Sequence, residues 1–284
     1  MINKICIIGV GLIGGSFALG LKKSAKNKTI IGFGRDEKKL QKAQSLGVID
    51  DYSIDIKKAL DGVDMVLIAT PVDSFKSVLE LIKPHIDDQI IISDVGSTKA
   101  SVIAMASAVF GALPARFIPA HPIAGKEKSG VEASDDQLFN QKRVVLTPNK
   151  NSDELALSQV QQLWELLGAR VEVMSDKKHD DLLAMTSHLP HMLAFGLMDY
   201  LISKNPDACD YAAGGFKDFS RIASSDSVMW RDICLNNSDE IIKHIEGYKN
   251  TLDKLSKLIK AHSSDELEQL FNEAKSARDN WLDN

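Results

Sequence analysis

Gly9-Val10-Gly11-Leu12-Ile13-Gly14-Gly15-Ser16 directly follows a short apolar run, and this placement constrains the fold more than any other segment. Lys4–Ile8 reads as a strand, the glycines as a tight turn, and the residues beyond them as a helix. Gly9 permits the turn. Gly11 lets the backbone approach a pyrophosphate, and Gly14 lets the helix pack on the strand. The helix start adds unpaired N–H groups and the positive end of a dipole. A second strand ends about 20 residues later, as this motif requires. Gly9, Gly11, Leu12, Ile13 and Gly14 are therefore expected to hold a dinucleotide.

Short apolar runs alternate with amphipathic segments through the first half. Lys4–Ile8, Thr29–Phe33, Met65–Ala69, Ile90–Ser93, Arg116–Pro119 and Arg143–Leu146 read as strands covered on both faces. Asp36–Leu46, closed by Gly47, and Asp73–Ile82, followed by Pro84, read as helices. This alternation predicts a parallel sheet in a doubly wound α/β domain over residues 1–174, completed by a helix at Ser152–Leu167 and a strand at Arg170–Met174. From Ser175 no strand pattern follows, and residues 175–284 read as all-helical. Ile241, Ile245, Tyr248, Leu252, Leu255 and Ile259 make a heptad-like stripe. It packs either inside the monomer or against a second copy. Ser263 and Glu266 suit a capping box for a last helix ending near Trp281.

The chain has 284 residues and a formal charge of -5. That balance, with no basic cluster among aromatics, argues against nucleic acid as a partner. No apolar run approaches the roughly 20 residues that span a bilayer. Cys6, Cys209 and Cys234 are scattered, which argues for a reducing compartment and against a thiolate metal site. A cytoplasmic location is expected.

The end of the second strand decides between dinucleotides. A carboxylate there ordinarily bonds the ribose 2′-hydroxyl. Here Gly34 removes that carboxylate and Arg35 can pair with a 2′-phosphate, which favours NADP over NAD. Asp36 either reaches the ribose or caps the next helix. Thr70-Pro71-Val72 and Asp94-Val95-Gly96-Ser97-Thr98-Lys99 both follow strands, at the ends where open α/β sheets bind ligands. Ser97 either caps the following helix or bonds a substrate hydroxyl beside the nicotinamide. His121 opens His-Pro-Ile-Ala-Gly after the Arg116–Pro119 strand, and its neutral imidazole can accept a hydroxyl proton. His188 and His191 share a helical face, but no acidic or cysteine partner has ligand spacing, so no metal is expected. His179-Asp180 reads as a surface helix start.

These segments resemble the prephenate/arogenate dehydrogenase family of tyrosine biosynthesis over nearly the whole chain. The resemblance rests on the glycine loop at 9–16, the Asp94–Lys99 hexapeptide and His-Pro-Ile-Ala-Gly with Glu127, Ser129 and Gly130. It continues through Ser187-His188-Leu189-Pro190-His191 and Gly214–Ala223. It implies a Rossmann-like N-terminal domain and an all-α C-terminal dimerisation domain, hence a homodimer. It implies oxidative decarboxylation of a small molecule, prephenate or arogenate, with NAD(P). Carried over, His121 accepts from the ring 4-hydroxyl and Ser97 assists. Arg221 binds a substrate carboxylate through its two-pronged guanidinium. Ser187, His188, His191 and Gly214 line the pocket, and Glu127 and Asp218 lie at its polar edge. Lys126 departs from the small hydroxyl residue frequent in the family. With no regulatory or mutase-like domain evident, a monofunctional enzyme is expected. Two competing expectations are a β-hydroxyacid dehydrogenase, which needs a catalytic lysine such as Lys177 or Lys178, and a dinucleotide-sensing regulator.

Overall fold

Strands form two sheets in the computed structural model, which describes residues 2–25, 27–126 and 128–282. The larger sheet contains β1 (Lys4–Ile8), β2 (Thr29–Phe33), β3 (Asp51–Ser53), β4 (Met65–Ile68), β5 (Ile91–Asp94) and β6 (Phe117–Ile118). Its order is β3-β2-β1-β4-β5-β6, and every pairing is parallel. Helices α1 (Leu12–Ser24), α2 (Glu37–Ser45), α3 (Ile56–Ala59), α4 (Phe75–Ile82) and α5 (Ala100–Phe110) connect these strands.

Strand side chains alternate between faces, so one sheet feeds two cores. Ile5, Ile7, Met65 and Leu67 enter one core, while Cys6, Ile8, Val66 and Ile68 enter the other. Burial on both faces explains why β1 and β4 read as unbroken apolar runs. On the first face Phe17 and Phe139 both meet the Trp164 ring edge-on, with centroids 4.8 and 5.1 Å away. Trp164 belongs to α6 (Glu154–Leu166), so the glycine-loop helix is anchored by aromatic packing on α6.

Two expectations need correction. Arg116–Pro119 holds a strand, β6, but the next strand was not expected, and Arg143–Leu146 and Arg170–Met174 do not extend the parallel sheet. The chain leaves the large sheet after Ile118 and enters a second one, ordered β7-β8-β9, with β7 (Ala120–Pro122), β8 (Arg143–Leu146) and β9 (Arg170–Val173). β7 runs antiparallel to β8, with His121 opposite Val145. Pro119 marks the crossing: it has no N–H for the first ladder, and its carbonyl accepts from Thr147 N at 3.0 Å in the second. β3 was not anticipated; three residues with only partial burial give no periodic signal.

The helical half starts with α7 (Asp176–Leu183), capped by the Ser175 side chain, which accepts from Lys178 N. One π-helical turn, Ala184–His188, joins it to α8 (Leu189–Lys204). Then follow α9 (Gly214–Ser220), α10 (Ser227–Asn236), α11 (Ser238–Lys260) and α12 (Ser264–Leu282). By internal contacts the chain divides into Met1–Ser238 and Asp239–Asn284. In the second unit Tyr248, Leu252 and Ile259 of the heptad-like stripe are exposed, as are Phe271 and Trp281 on α12. Among the described residues no helix is long and apolar enough to cross a membrane.

Candidate active site

A crevice of about 880 Å³ opens where β1 and β4 end, the point at which the strand order reverses. Gly9, Gly11, Gly34, Arg35, Thr70 and Pro71 line it. Gly9 has φ +95°, and a Cβ there would lie 2.8 Å from the Ala69 carbonyl oxygen. Gly14 is buried where a Cβ would come within 2.5 Å of the Gly9 carbonyl oxygen, so α1 closes tightly on the turn. A Cβ on Gly11, by contrast, would meet only open space.

These features fit a dinucleotide. No side chain caps α1, and its first turn holds no acidic residue, so its orphan N–H groups and dipole are left for an anion. Thr70 Oγ1 lines the crevice and is buried without a hydrogen-bond partner, a polar atom prepared for a ligand. Lys38, Lys39 and Lys42 stand with Arg35 at the far end. Asp36 caps α2, accepting from Lys39 N at 3.3 Å. Leu12 and Ile13 form the first turn of α1, and Val72 is buried in the core beside the crevice.

Further along the same strand ends, Asp94 and Lys99 form an ion pair, both fully buried. Together they hold the residue before His121 by both of its backbone groups. Ala120 N donates to Asp94 Oδ1 at 3.1 Å, and Ala120 O accepts from Lys99 Nζ at 2.7 Å. Gly96 N also donates to Asp94, at 2.7 Å. The crossing between sheets is thus fixed by charge-assisted bonds in a dry setting, and His121 projects from a strand rather than a mobile loop.

His121 is enclosed, and its Nδ1 lies 2.8 Å from His179 Nε2. Burial pushes its pKa well below the usual 6.5, aided by His179, Lys99 and His188 nearby. The ring is therefore neutral at pH 7 and able to accept a proton. His179 Nδ1 lies 2.7 Å from Asp180 Oδ1. Both residues are buried, which corrects the surface assignment. Asp180 also takes the Lys99 and Ala100 amides, each at 2.8 Å, and so caps α5 in place of Ser97. Burial pushes its carboxyl up, but the His179 and amide bonds outweigh this and hold it below the ordinary value.

His188 sits on the π-helical turn, a feature frequent at functional sites. Asn237 Nδ2 donates to the Asp180 carbonyl at 3.0 Å and faces His188 Nδ1 at 3.2 Å. His188 Nδ1 is thus an acceptor, and its Nε2 carries the hydrogen. Burial pushes its pKa down to about 4. His191 Nδ1 donates to Ser187 O at 2.8 Å, and its ring stacks on Trp230 with centroids 3.7 Å apart. Arg221, exposed in the turn after α9, lies near enough to help lower the His191 pKa, after burial.

His121, His188, His191 and Arg221 thus follow one another within electrostatic reach, while Ser97 stands half-buried between β5 and α5. Gly214 and Asp218 are exposed on α9. Glu127 lies outside the described residues. Lys126 bonds Asp135 at 2.7 Å. Arg231, a weaker candidate for a second substrate carboxylate, is taken up by Asp232 at 2.6 Å. Lys177 and Lys178, needed by the β-hydroxyacid alternative, are exposed. Sequence reasoning missed His179, Asp180, Trp230 and Asn237 as parts of the cluster. Asp176–Asp181 is polar throughout, so periodicity marked it as solvent-facing.

Two family descriptions match the chain: "Prephenate dehydrogenase, nucleotide-binding domain" over residues 17–173 and "Prephenate dehydrogenase, dimerization domain" over 175–273. Prephenate dehydrogenase of Bacillus subtilis is 38% identical, across 98% of this chain and 76% of its own length. Cyclohexadienyl dehydrogenase of Zymomonas mobilis is 34% identical, across 97% of this chain and 95% of its own. Among solved structures, prephenate dehydrogenase from A. aeolicus, in complex with hydroxyphenyl propionate and NAD+, superposes with a TM-score of 0.93. It is 39% identical, with 98% of both chains covered.

Proposed function

The chain belongs to the prephenate dehydrogenase family, and on that premise we propose that His121 takes the proton of the substrate's ring hydroxyl as the carbon bearing it is oxidised. The enzyme is an NAD(P)-dependent dehydrogenase of tyrosine biosynthesis that oxidatively decarboxylates prephenate, arogenate or both. The observation that carries the role of His121 is its enclosed, neutral imidazole on β7, which follows β6 of the sheet whose β1 and β4 ends bear the dinucleotide crevice.

The bound dinucleotide supplies the hydride acceptor. The protein's residues handle charge and position. His121 Nε2 accepts the hydroxyl proton and stabilises the developing carbonyl. Ser97 adds a hydroxyl contact at the same oxygen. Carbon dioxide leaves from the opposite ring carbon, the ring becomes aromatic, and the proton returns from His121 to the phenolic oxygen. Arg221 holds a substrate carboxylate in a two-pronged bond. Ser187, His188, His191 and Gly214 line the pocket, with Glu127 and Asp218 at its polar edge. Of these, His188 offers an N–H donor where His121 offers a lone pair.

Arg35, with Lys38, Lys39 and Lys42 beside it and Gly34 leaving room, supports a preference for NADP over NAD. The exposed apolar stripe on α11 supports a homodimer through residues 239–284.

Steady-state kinetics with prephenate and arogenate, each with NAD and NADP, test this reading. Arg221→Ala is expected to raise the KM for the preferred substrate about tenfold, the scale of a lost charge-assisted bond. Unchanged substrate saturation removes Arg221 from carboxylate binding, and a higher kcat/KM with NAD removes the role given to Arg35.

A further inference from the structure

We propose that His179 and Asp180 are positioning residues that set the tautomer of His121, leaving its Nε2 lone pair as the one free to take a proton. The proposal rests on the reading of His121 as proton acceptor and adds what makes that ring an acceptor rather than a donor. The reasoning begins at α5. Its first amides, Lys99 N and Ala100 N, both donate to the Asp180 carboxylate at 2.8 Å. With the His179 ring as a third donor, at 2.7 Å, the carboxylate is held ionised although buried.

An ionised carboxylate accepts only, so His179 Nδ1 carries the hydrogen. With that one hydrogen on Nδ1, His179 Nε2 presents a lone pair. It faces His121 Nδ1 at 2.8 Å, and two lone pairs at that distance would leave both buried nitrogens unsatisfied. His121 Nδ1 must therefore carry the hydrogen, and Nε2 is bare. The opposite assignment, with the hydrogen on His179 Nε2, would set a bare His179 Nδ1 against the acceptor-only Asp180 carboxylate at 2.7 Å. Two adjacent residues, His179 and Asp180, thereby transmit the state of a helix N-terminus to an imidazole 58 residues away in sequence. When His121 gains its proton, the Nδ1–H bond to His179 also brings the new positive charge under the influence of Asp180. The carboxylate of a Ser-His-Asp triad steadies its imidazole in the same manner.

The tautomer can be read without activity, from the imidazole ¹⁵N NMR spectrum of the ligand-free protein labelled at histidine. His121 is expected to show a protonated Nδ1 and a bare Nε2. His179→Phe is expected to convert it to the Nε2–H form and lower kcat on prephenate by about 10–100-fold, with the Kd for dinucleotide unchanged. His179→Gln, whose amide oxygen can still accept from His121 Nδ1–H, is expected to recover most of the rate. An Nε2–H signal in the wild-type protein, or a His179→Phe variant with wild-type kcat, overturns the proposal. If the Phe variant does not fold, the wild-type spectrum and the Gln variant decide on their own. His121→Asn separates the two layers. If it keeps its turnover, the reading of His121 falls and takes the relay with it. If it is inactive while His179→Phe is unimpaired, the relay alone falls.

Discussion

At the β1–β4 crevice, the closest approach to a ligand is set by glycines and backbone amides directly after β1, whereas at His121 the contributing side chains come from several elements. The crevice depends on conformation, on what Gly9 and Gly14 leave out. The imidazole cluster depends on partners, on what β7, α7, α8 and α10 bring in. The first positions a cofactor and tolerates water at its mouth. The second excludes water and uses that exclusion to keep three imidazoles neutral. Binding and chemistry are therefore separable in this enzyme, and substitutions can test the separation.

The largest expected effect is that of His121→Asn. Loss of the proton acceptor should lower kcat by about 10²–10⁴-fold, while dinucleotide affinity measured by fluorescence titration stays at the wild-type value. A parallel loss of dinucleotide affinity would mean that the two regions are one. Gly9→Val probes the other side. Its backbone sits at φ +95° against the Ala69 carbonyl, and strain of about 1–3 kcal/mol should weaken dinucleotide binding roughly ten- to a hundredfold. At saturating dinucleotide, kcat should largely recover; failure to recover would again join the regions.

The smallest effect is that of pH. The His121 pKa lies well below 6.5, chiefly through burial, and protonation removes the acceptor. On acidification kcat/KM should stay level through pH 6.5 and fall only below it. Stability follows the same sign. His188 titrates at about 4 in the fold but near 6.5 in the open chain, so the unfolded state binds more protons between those values. The melting temperature should drop as pH falls through that window. An activity limb centred at 6.5 would place the acceptor in water.

The same contrast explains what could be read in advance. The glycine loop, β1, β2 and the Asp36 cap are local: spacing alone implies them. Gly34 and Arg35 were legible for the same reason. The small sheet was not, because β7 is three residues long and separated from β6 by Pro119 alone, too short to carry a periodic signal of its own. Nor was the capping of α5. Ser97 stood at a plausible local position, yet the oxygens come from Asp180, 81 residues from Lys99 in sequence. Burial of His179 within so polar a stretch is decided by its tertiary partners, and no window of neighbours carries that information.

The surplus residue in the turn at Ala184–His188 has a geometric consequence for evolution. Each residue added to a helix advances its azimuth by about 100°. The heading of everything downstream on α8, including the stacked His191, is thus set by the length of this turn. Excision of the exposed Met185 would swing that face to a new bearing while leaving every ligand-facing side chain in the gene. A lineage could in this way retarget its substrate by indel, with no point substitution in the pocket.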